Sequence, residues 1–125
     1  MPSEIDTITF DAHDPRRVAD FWCEALGYRV SAVHEGWGIE VRHPAAADRL
    51  PLLFLIVPEG KTVKNRVHLD IRPPATKREE AERLAAVGAT IVREDDGWIV
   101  LQDPEGNEFC VLDGPADDAT GDDDG

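Results

Sequence analysis

A handful of side chains in this 125-residue sequence can do chemistry: the imidazole of His68, the thiol of Cys110, the carboxylate of Glu40 and the indoles of Trp37 and Trp98. His68 sits in Val67-His68-Leu69-Asp70, a stretch that reads as a strand. There it either hydrogen-bonds a neighbour or contacts a ligand, moves a proton or ligates a metal, since imidazole changes charge near neutrality. Cys110 shares one strand face with Glu108 and Leu112, opposite Phe109 and Val111. A lone strand cysteine is usually a small hydrophobe. Beside His68, however, a Cys/His pair can bind a soft metal or act as a nucleophile. Glu40, flanked by Ile39 and Val41, either supplies an acid from the first half or points to solvent. Trp37 and Trp98 are expected to open corresponding strands, where a flat ring can stack on a ligand at the rim of a pocket. Trp22, next to Phe21, is expected to pack between helix and sheet.

Other ionisable residues read as ordinary surface. His13, His34 and His43 fall in or beside expected loops and lack metal-ligand spacing. Asp103, Glu105 and Glu108 lie at a turn expected to be solvated. Phosphate loops, nucleotide fingerprints and Ser-His-Asp signatures are absent from the sequence.

These candidates need strands to hold them, and the hydrophobic pattern supplies those strands twice. Residues 5–10 alternate with β-branched residues and read as a strand. Asp14-Pro15 signals a helix start, Val18, Phe21, Trp22 and Ala25 recur at helical spacing, and Gly27 supplies the exit. Extended segments at 28–34, 37–42 and 52–57 follow, separated by a Glu35-Gly36 turn and a loop at 43–49. After a connector at 58–65 the order repeats. A strand at 66–72 precedes a Thr76/Glu79 capping box and a helix lined by Ala81, Leu84 and Ala85 that exits at Gly88. Strands at 90–93, 98–102 and 108–112 complete the second copy. The helix exits align with an offset of 61, which sets Thr7 opposite His68. The expected fold is α+β: two tandem βαβββ modules, about 4–58 and 66–112, forming a cupped, mainly antiparallel eight-stranded sheet with two flanking helices.

Charge narrows the partners. The formal net charge is −13, of which the segment 113–125 contributes six aspartates and no Lys or Arg, leaving −7 for the remainder. Nucleic acid and anionic membrane both require cationic surface, so neither is an expected partner. The longest apolar run, 50–57, contains Pro51 and is too short to span a bilayer. Cys23 and Cys110 lie far apart without a basic-then-apolar leader, so both are expected as thiols in a reducing cytoplasm. Residues 1–112 are expected to form one domain, and the Asp-, Gly-, Ala- and Pro-rich 113–125 a disordered acidic tail.

Three motifs together resemble glyoxalase-like proteins of the vicinal-oxygen-chelate superfamily across residues 4–112. They are Asp11-Ala12-His13-Asp14-Pro15 leading into Phe21-Trp22, Ala25-Leu26-Gly27 at the helix exit, and Asp103-Pro104-Glu105-Gly106-Asn107-Glu108-Phe109 before the last strand. In the last of these, proline presets φ and Gly-Asn tolerates positive φ. The resemblance implies paired modules curled around a small ligand. Its metal-dependent members, glyoxalase I and extradiol dioxygenases among them, draw one ligand from the first and one from the last strand of each module, usually His and Glu. His68 matches such a position. Thr7 stands at its counterpart in module one and is a poor metal ligand. Cys110 stands where a glutamate is expected, and 51–57 holds no acid.

Two functions therefore compete. The first is a metal-independent binding protein, similar to bleomycin-resistance proteins, with His68, Trp37, Trp98, Thr7, Glu40 and Cys110 as candidate ligand contacts and no metal or other cofactor expected. The second is a lyase, isomerase or dioxygenase in which His68, Cys110 and Glu40 hold a divalent metal that polarises a substrate oxygen, with His68 and Cys110 as the candidate catalytic residues. Ligand counting favours the first and disfavours glyoxalase I activity. By analogy with relatives, a homodimer is a candidate assembly.

Overall fold

The computed structural model describes residues 1–117, which divide into two compact units: Met1–Lys61, and the remainder from Thr62 onward. Each carries one βαβββ module, so the expected fold class and repeat hold.

In the first unit, β1 (Ile8–Ala12) leads into α1 (Pro15–Leu26), followed by β2 (Arg29–His34), β3 (Gly38–Arg42) and β4 (Leu52–Ile56). The strand order is β1-β4-β3-β2, with β1 and β4 parallel and the other pairs antiparallel. The second unit repeats this with β5 (Leu69–Ile71), α2 (Lys77–Ala86), β6 (Thr90–Asp95), β7 (Trp98–Gln102) and β8 (Glu108–Leu112), ordered β5-β8-β7-β6. The eight strands are thus two four-stranded mixed sheets rather than one hydrogen-bonded sheet. Each module's first strand is captured by its own last strand, which satisfies its backbone groups locally.

Both helices start where the sequence signals them. Asp14 caps α1 by accepting from Arg17 N, Pro15 takes the first helical position, and Gly27 ends the helix at φ 70°. Thr76 and Glu79 form the reciprocal capping box of α2. The α1 face buries Val18, Ala19, Phe21 and Trp22, as expected. On α2 the buried residues are Glu80, Ala81 and Leu84, whereas Ala85 is exposed. Glu80 tolerates its position because Arg83 donates to both of its carboxylate oxygens at 2.9 Å.

The last turn is where the solvated reading fails. Asp103 is only 3% exposed. Its carboxylate accepts from Glu105 N (2.9 Å), Asn107 N (3.0 Å) and the Asn107 amide (2.9 Å). Gly106 takes the positive φ, 89°, and Asn107 does not, so asparagine is here a buried hydrogen-bonding residue and not a left-handed one. Asn107 Oδ1 in turn accepts from Asn65 Nδ2 at 2.7 Å, and Glu108 accepts from Asn65 N at 3.0 Å. The turn therefore pins the connector that leads into β5.

Residues 113–117, assigned to the tail from sequence, carry contacts and a helical turn at 115–117. Asp117 accepts from Lys77 N at 2.6 Å and Gly114 N at 3.0 Å, which adds a second cap to α2. The rest of the acidic tail, 118–125, lies outside the described residues. Among the described residues no helix is long and apolar enough to cross a membrane.

Asp103→Ala removes the common acceptor of three donors, two of them buried, and is expected to lower stability by about 1–3 kcal/mol, measured by urea denaturation. Glu82→Ala, on the exposed side of α2, is expected to stay within about 0.5 kcal/mol of the parent.

Candidate functional site

Along β8, Phe109 and Val111 are buried, while Glu108, Cys110 and Leu112 occupy the other face. α2 packs on β7 and β8, so the buried set faces the helix and leaves the second face open. That face borders a cavity of about 560 Å³ whose lining includes His68, Asp70, Val92, Trp98, Val100, Cys110 and Leu112. Three of the sequence-derived candidates, His68, Trp98 and Cys110, are therefore brought together.

The register explains how. β5 pairs with β8 in parallel, setting Asp70 opposite Cys110, and β7 sets Val100 opposite Cys110 and Trp98 opposite Leu112. His68 immediately precedes β5 and lies two positions before Asp70, so both side chains leave on one face. His68 Nδ1 lies 3.3 Å from Asp70 Oδ1. One ligating atom from each of His68, Asp70 and Cys110 falls within 4.8 Å of the others. Asp70 is the residue that sequence reasoning missed. The period-two spacing from His68 was the available signal.

Asp70 also governs the thiol. Burial, followed by the negative charge and hydrogen bond of Asp70, pushes the Cys110 thiol above its usual range, only partly countered by Arg93. Cys110 is consequently a protonated thiol near neutral pH, poorly prepared for nucleophilic attack.

The first module places its candidates on an equivalent frame with different chemistry. Its pairing of Ile8 with Leu52 matches Leu69 with Phe109, so Thr7, Thr9 and Leu53 stand where module two has His68, Asp70 and Cys110. Thr7 and Thr9 are hydrogen-bonded through their hydroxyls at 3.0 Å. Both modules carry a bulge at the same point of their second strand, at Val30/Ala32 and Ile91/Arg93. The hairpin loop of module two is one residue shorter, however, so Trp98 corresponds to Gly38. Trp37 and Trp98 do not open corresponding strands: Trp37 ends the turn, half-exposed, with its ring stacked on His34 at a centroid distance of 4.3 Å. A side chain at Gly38 would meet Phe54 O at 2.8 Å, which bars a tryptophan there.

Glu40 neither points freely to solvent nor completes a ligand set. Its carboxylate accepts from Ser31 Oγ at 2.8 Å and Arg42 Nη2 at 3.1 Å. The Ser31 hydroxyl, with Arg42, holds it below the usual carboxylate range against the opposing effect of burial.

These positions decide the fit of a metal held by two residues from each module. Module one offers a threonine hydroxyl and a leucine at the two positions concerned, and neither competes with imidazole or carboxylate for a divalent transition metal. The four-ligand set is not formed. At these positions module two alone carries metal-binding donor types.

A family model described as a glyoxalase-like domain matches residues 7–112. No curated protein sequence matches the chain. Among solved structures, the fosfomycin resistance protein FosX of Listeria monocytogenes, an E126Q mutant complexed with Mn(II) and 1S,2S-dihydroxypropylphosphonic acid, is similar with TM-score 0.71 at 15% identity, over 91% of this chain and 92% of that one. A glyoxalase/bleomycin resistance protein/dioxygenase family enzyme of Burkholderia phytofirmans PsJN gives 0.70 at 15% identity, over 87% and 97%. Trypanothione-dependent glyoxalase I of Leishmania major gives 0.67 at 16%, over 98% and 95%. Likeness at these identities establishes the fold, and the match over 7–112 establishes the family: the chain belongs to the glyoxalase-like domain family and shares the vicinal-oxygen-chelate fold.

Proposed function

We propose that this protein binds a small organic molecule with a flat apolar portion against the open face of β5, β7 and β8, without the four-ligand metal set of its metal-dependent relatives. The observation that carries this reading is the cavity of about 560 Å³, a volume typical of small-molecule sites. Trp98, Val92, Val100 and Leu112 give it apolar walls, and His68, Asp70 and Cys110 give it a polar patch. Trp98 is the stacking surface, His68 the hydrogen-bonding group steadied by Asp70, and Cys110 a neutral contact. On the open face of module one, taken by itself, Thr7 and Glu40 are proposed as polar contacts for a small molecule, and Trp37 as a stacking contact through its exposed ring. The same reading takes the protein as cytoplasmic and as a candidate homodimer, which light scattering would decide.

One observation favours a second reading, a metal-dependent lyase, isomerase or dioxygenase with an atypical ligand set: the convergence of His68, Asp70 and Cys110 within 4.8 Å. A third possibility, covalent catalysis by Cys110, is opposed by the raised thiol.

Screening chelator-treated protein against small aromatic and carbonyl compounds by thermal shift is expected to yield hits without added metal. Trp98→Ala is expected to weaken the best of them by about tenfold, the equivalent of about 1.4 kcal/mol, in calorimetric titration. Hits appearing only after metal is restored would move the case to the second reading. Alkylation of Cys110 by iodoacetamide, followed by peptide mass mapping, is expected to be slow at neutral pH and to accelerate in alkali beyond the range of an ordinary thiol. Rapid labelling at neutral pH would reinstate the nucleophile.

A further inference from the structure

We infer that the open face of module two selects molecules that carry a carboxylate on a flat ring, and that Arg93 is the residue that reads the carboxylate. Such selection rests on the small-molecule binding proposed above and adds the ligand's class. Arg93 and Lys64 both line the cavity of about 560 Å³. Regular alternation along β6 would send Val92 and Arg93 to opposite faces. The bulge between Ile91 and Arg93 breaks that alternation, and both residues line the cavity. Re-aiming a side chain beside a site is a recurrent use of a bulge. Ala32 holds the corresponding place at the bulge of module one.

The balance of hydrogen-bonding groups favours an anion. Each acid that lines the cavity already has a donor: His68 Nδ1 lies 3.3 Å from Asp70 Oδ1, and Glu108 accepts from Asn65 N at 3.0 Å. Donors remain over. Arg93 donates from Nε to Asp95 Oδ2 at 2.9 Å, and among the described residues no acceptor takes up its Nη groups. Lys64 Nζ donates to the carbonyl of Asn65 at 3.3 Å and has no carboxylate partner among the described residues. A cationic guest would cover these groups without supplying acceptors, which costs free energy. A carboxylate supplies charge-assisted bonds instead. The formal charge of −13 does not oppose this at close range, because physiological salt screens exposed charges beyond about 8 Å.

The ladder sets the spacing. Arg93 pairs with Val100, and Asp95 with Trp98, across β6 and β7. The backbones that carry the guanidinium and the indole are therefore offset by two residues along the sheet, about 7 Å. An aromatic carboxylate spans that offset, with its ring on Trp98 and its two oxygens on Arg93. Asp95 is a positioning residue: by holding Nε it fixes the plane of the guanidinium and leaves the Nη pair for a bidentate acceptor. The Arg93 and Asp95 side chains are 58% and 30% exposed, so the pair adds little to stability and either residue can be replaced without unfolding the module.

Calorimetric titration of the chelator-treated full chain with naphthalene-2-carboxylate and with the isosteric naphthalene-2-carboxamide separates charge from shape. The carboxylate is expected to bind about tenfold more tightly than the amide. Arg93→Gln is expected to weaken the carboxylate by about tenfold and the amide by less than about threefold, whereas Trp98→Ala weakens the two alike. Asp95→Asn, acting through the orientation of Arg93, is expected to cost the carboxylate about threefold. Circular dichroism checks that each variant is folded. An amide that binds as tightly as the carboxylate, tighter binding of naphthalen-2-ylmethylammonium, or a carboxylate affinity that Arg93→Gln leaves unchanged overturns the role of Arg93 while small-molecule binding stands. Failure of all three compounds to bind overturns the flat-ring site itself, and the carboxylate selection with it.

Discussion

The parallel pairing of β5 with β8 is the constraint on which the second module depends. With Leu69, Asp70 and Ile71 opposite Phe109, Cys110 and Val111, the ladder sorts apolar side chains toward α2 and polar ones toward the cavity. Burying Phe109 and Val111 stabilises the module by about 1.5–3 kcal/mol each. A slip of one residue would exchange Cys110 with its buried neighbours, because strand side chains alternate strictly. The hydrophobic requirement of the core thus fixes which residues face the cavity, although Phe109 and Val111 themselves do not line it.

A second device holds the approach to that ladder. Asp103 gathers donors from Glu105 and Asn107, and Asn107 and Glu108 hold Asn65. The turn before β8 and the connector before β5 are thereby tied together, so His68 enters the sheet at a defined height. A buried carboxylate is costly unless its oxygens are satisfied. Here the satisfaction of Asp103 and the positioning of His68 come from one set of hydrogen bonds.

Comparison of the two modules shows what a repeat retains and what it releases. Strand order, parallel first-to-last pairing and the bulge in the second strand recur in both. The open faces have diverged: Thr7, Thr9, Leu53 and Gly38 in one correspond to His68, Asp70, Cys110 and Trp98 in the other. Core packing constrains the buried positions through volume and shape, whereas an open face answers only to what it binds. The asymmetry in donor chemistry places the polar patch, the tryptophan and the candidate metal donors in the second module.

Much of this was legible in the sequence. Asp14-Pro15, Thr76 with Glu79, and Gly27 act through contacts a few residues away, so local order determined where the helices start and where α1 ends. The offset of 61 that set Thr7 against His68 was likewise readable, as was the face of Cys110, because both follow from strand periodicity. The burial of Asp103 was not, since it depends on donors arranged only once the turn closes. Nor was the correspondence of Trp98 with Gly38 instead of Trp37, which a single residue in the hairpin loop decides. The role of Asp70 is the clearest division: the sequence by itself determined that it shares a face with His68. Only the pairing of β5 with β8, a contact between residues forty apart in the chain, decided that Cys110 would lie against it.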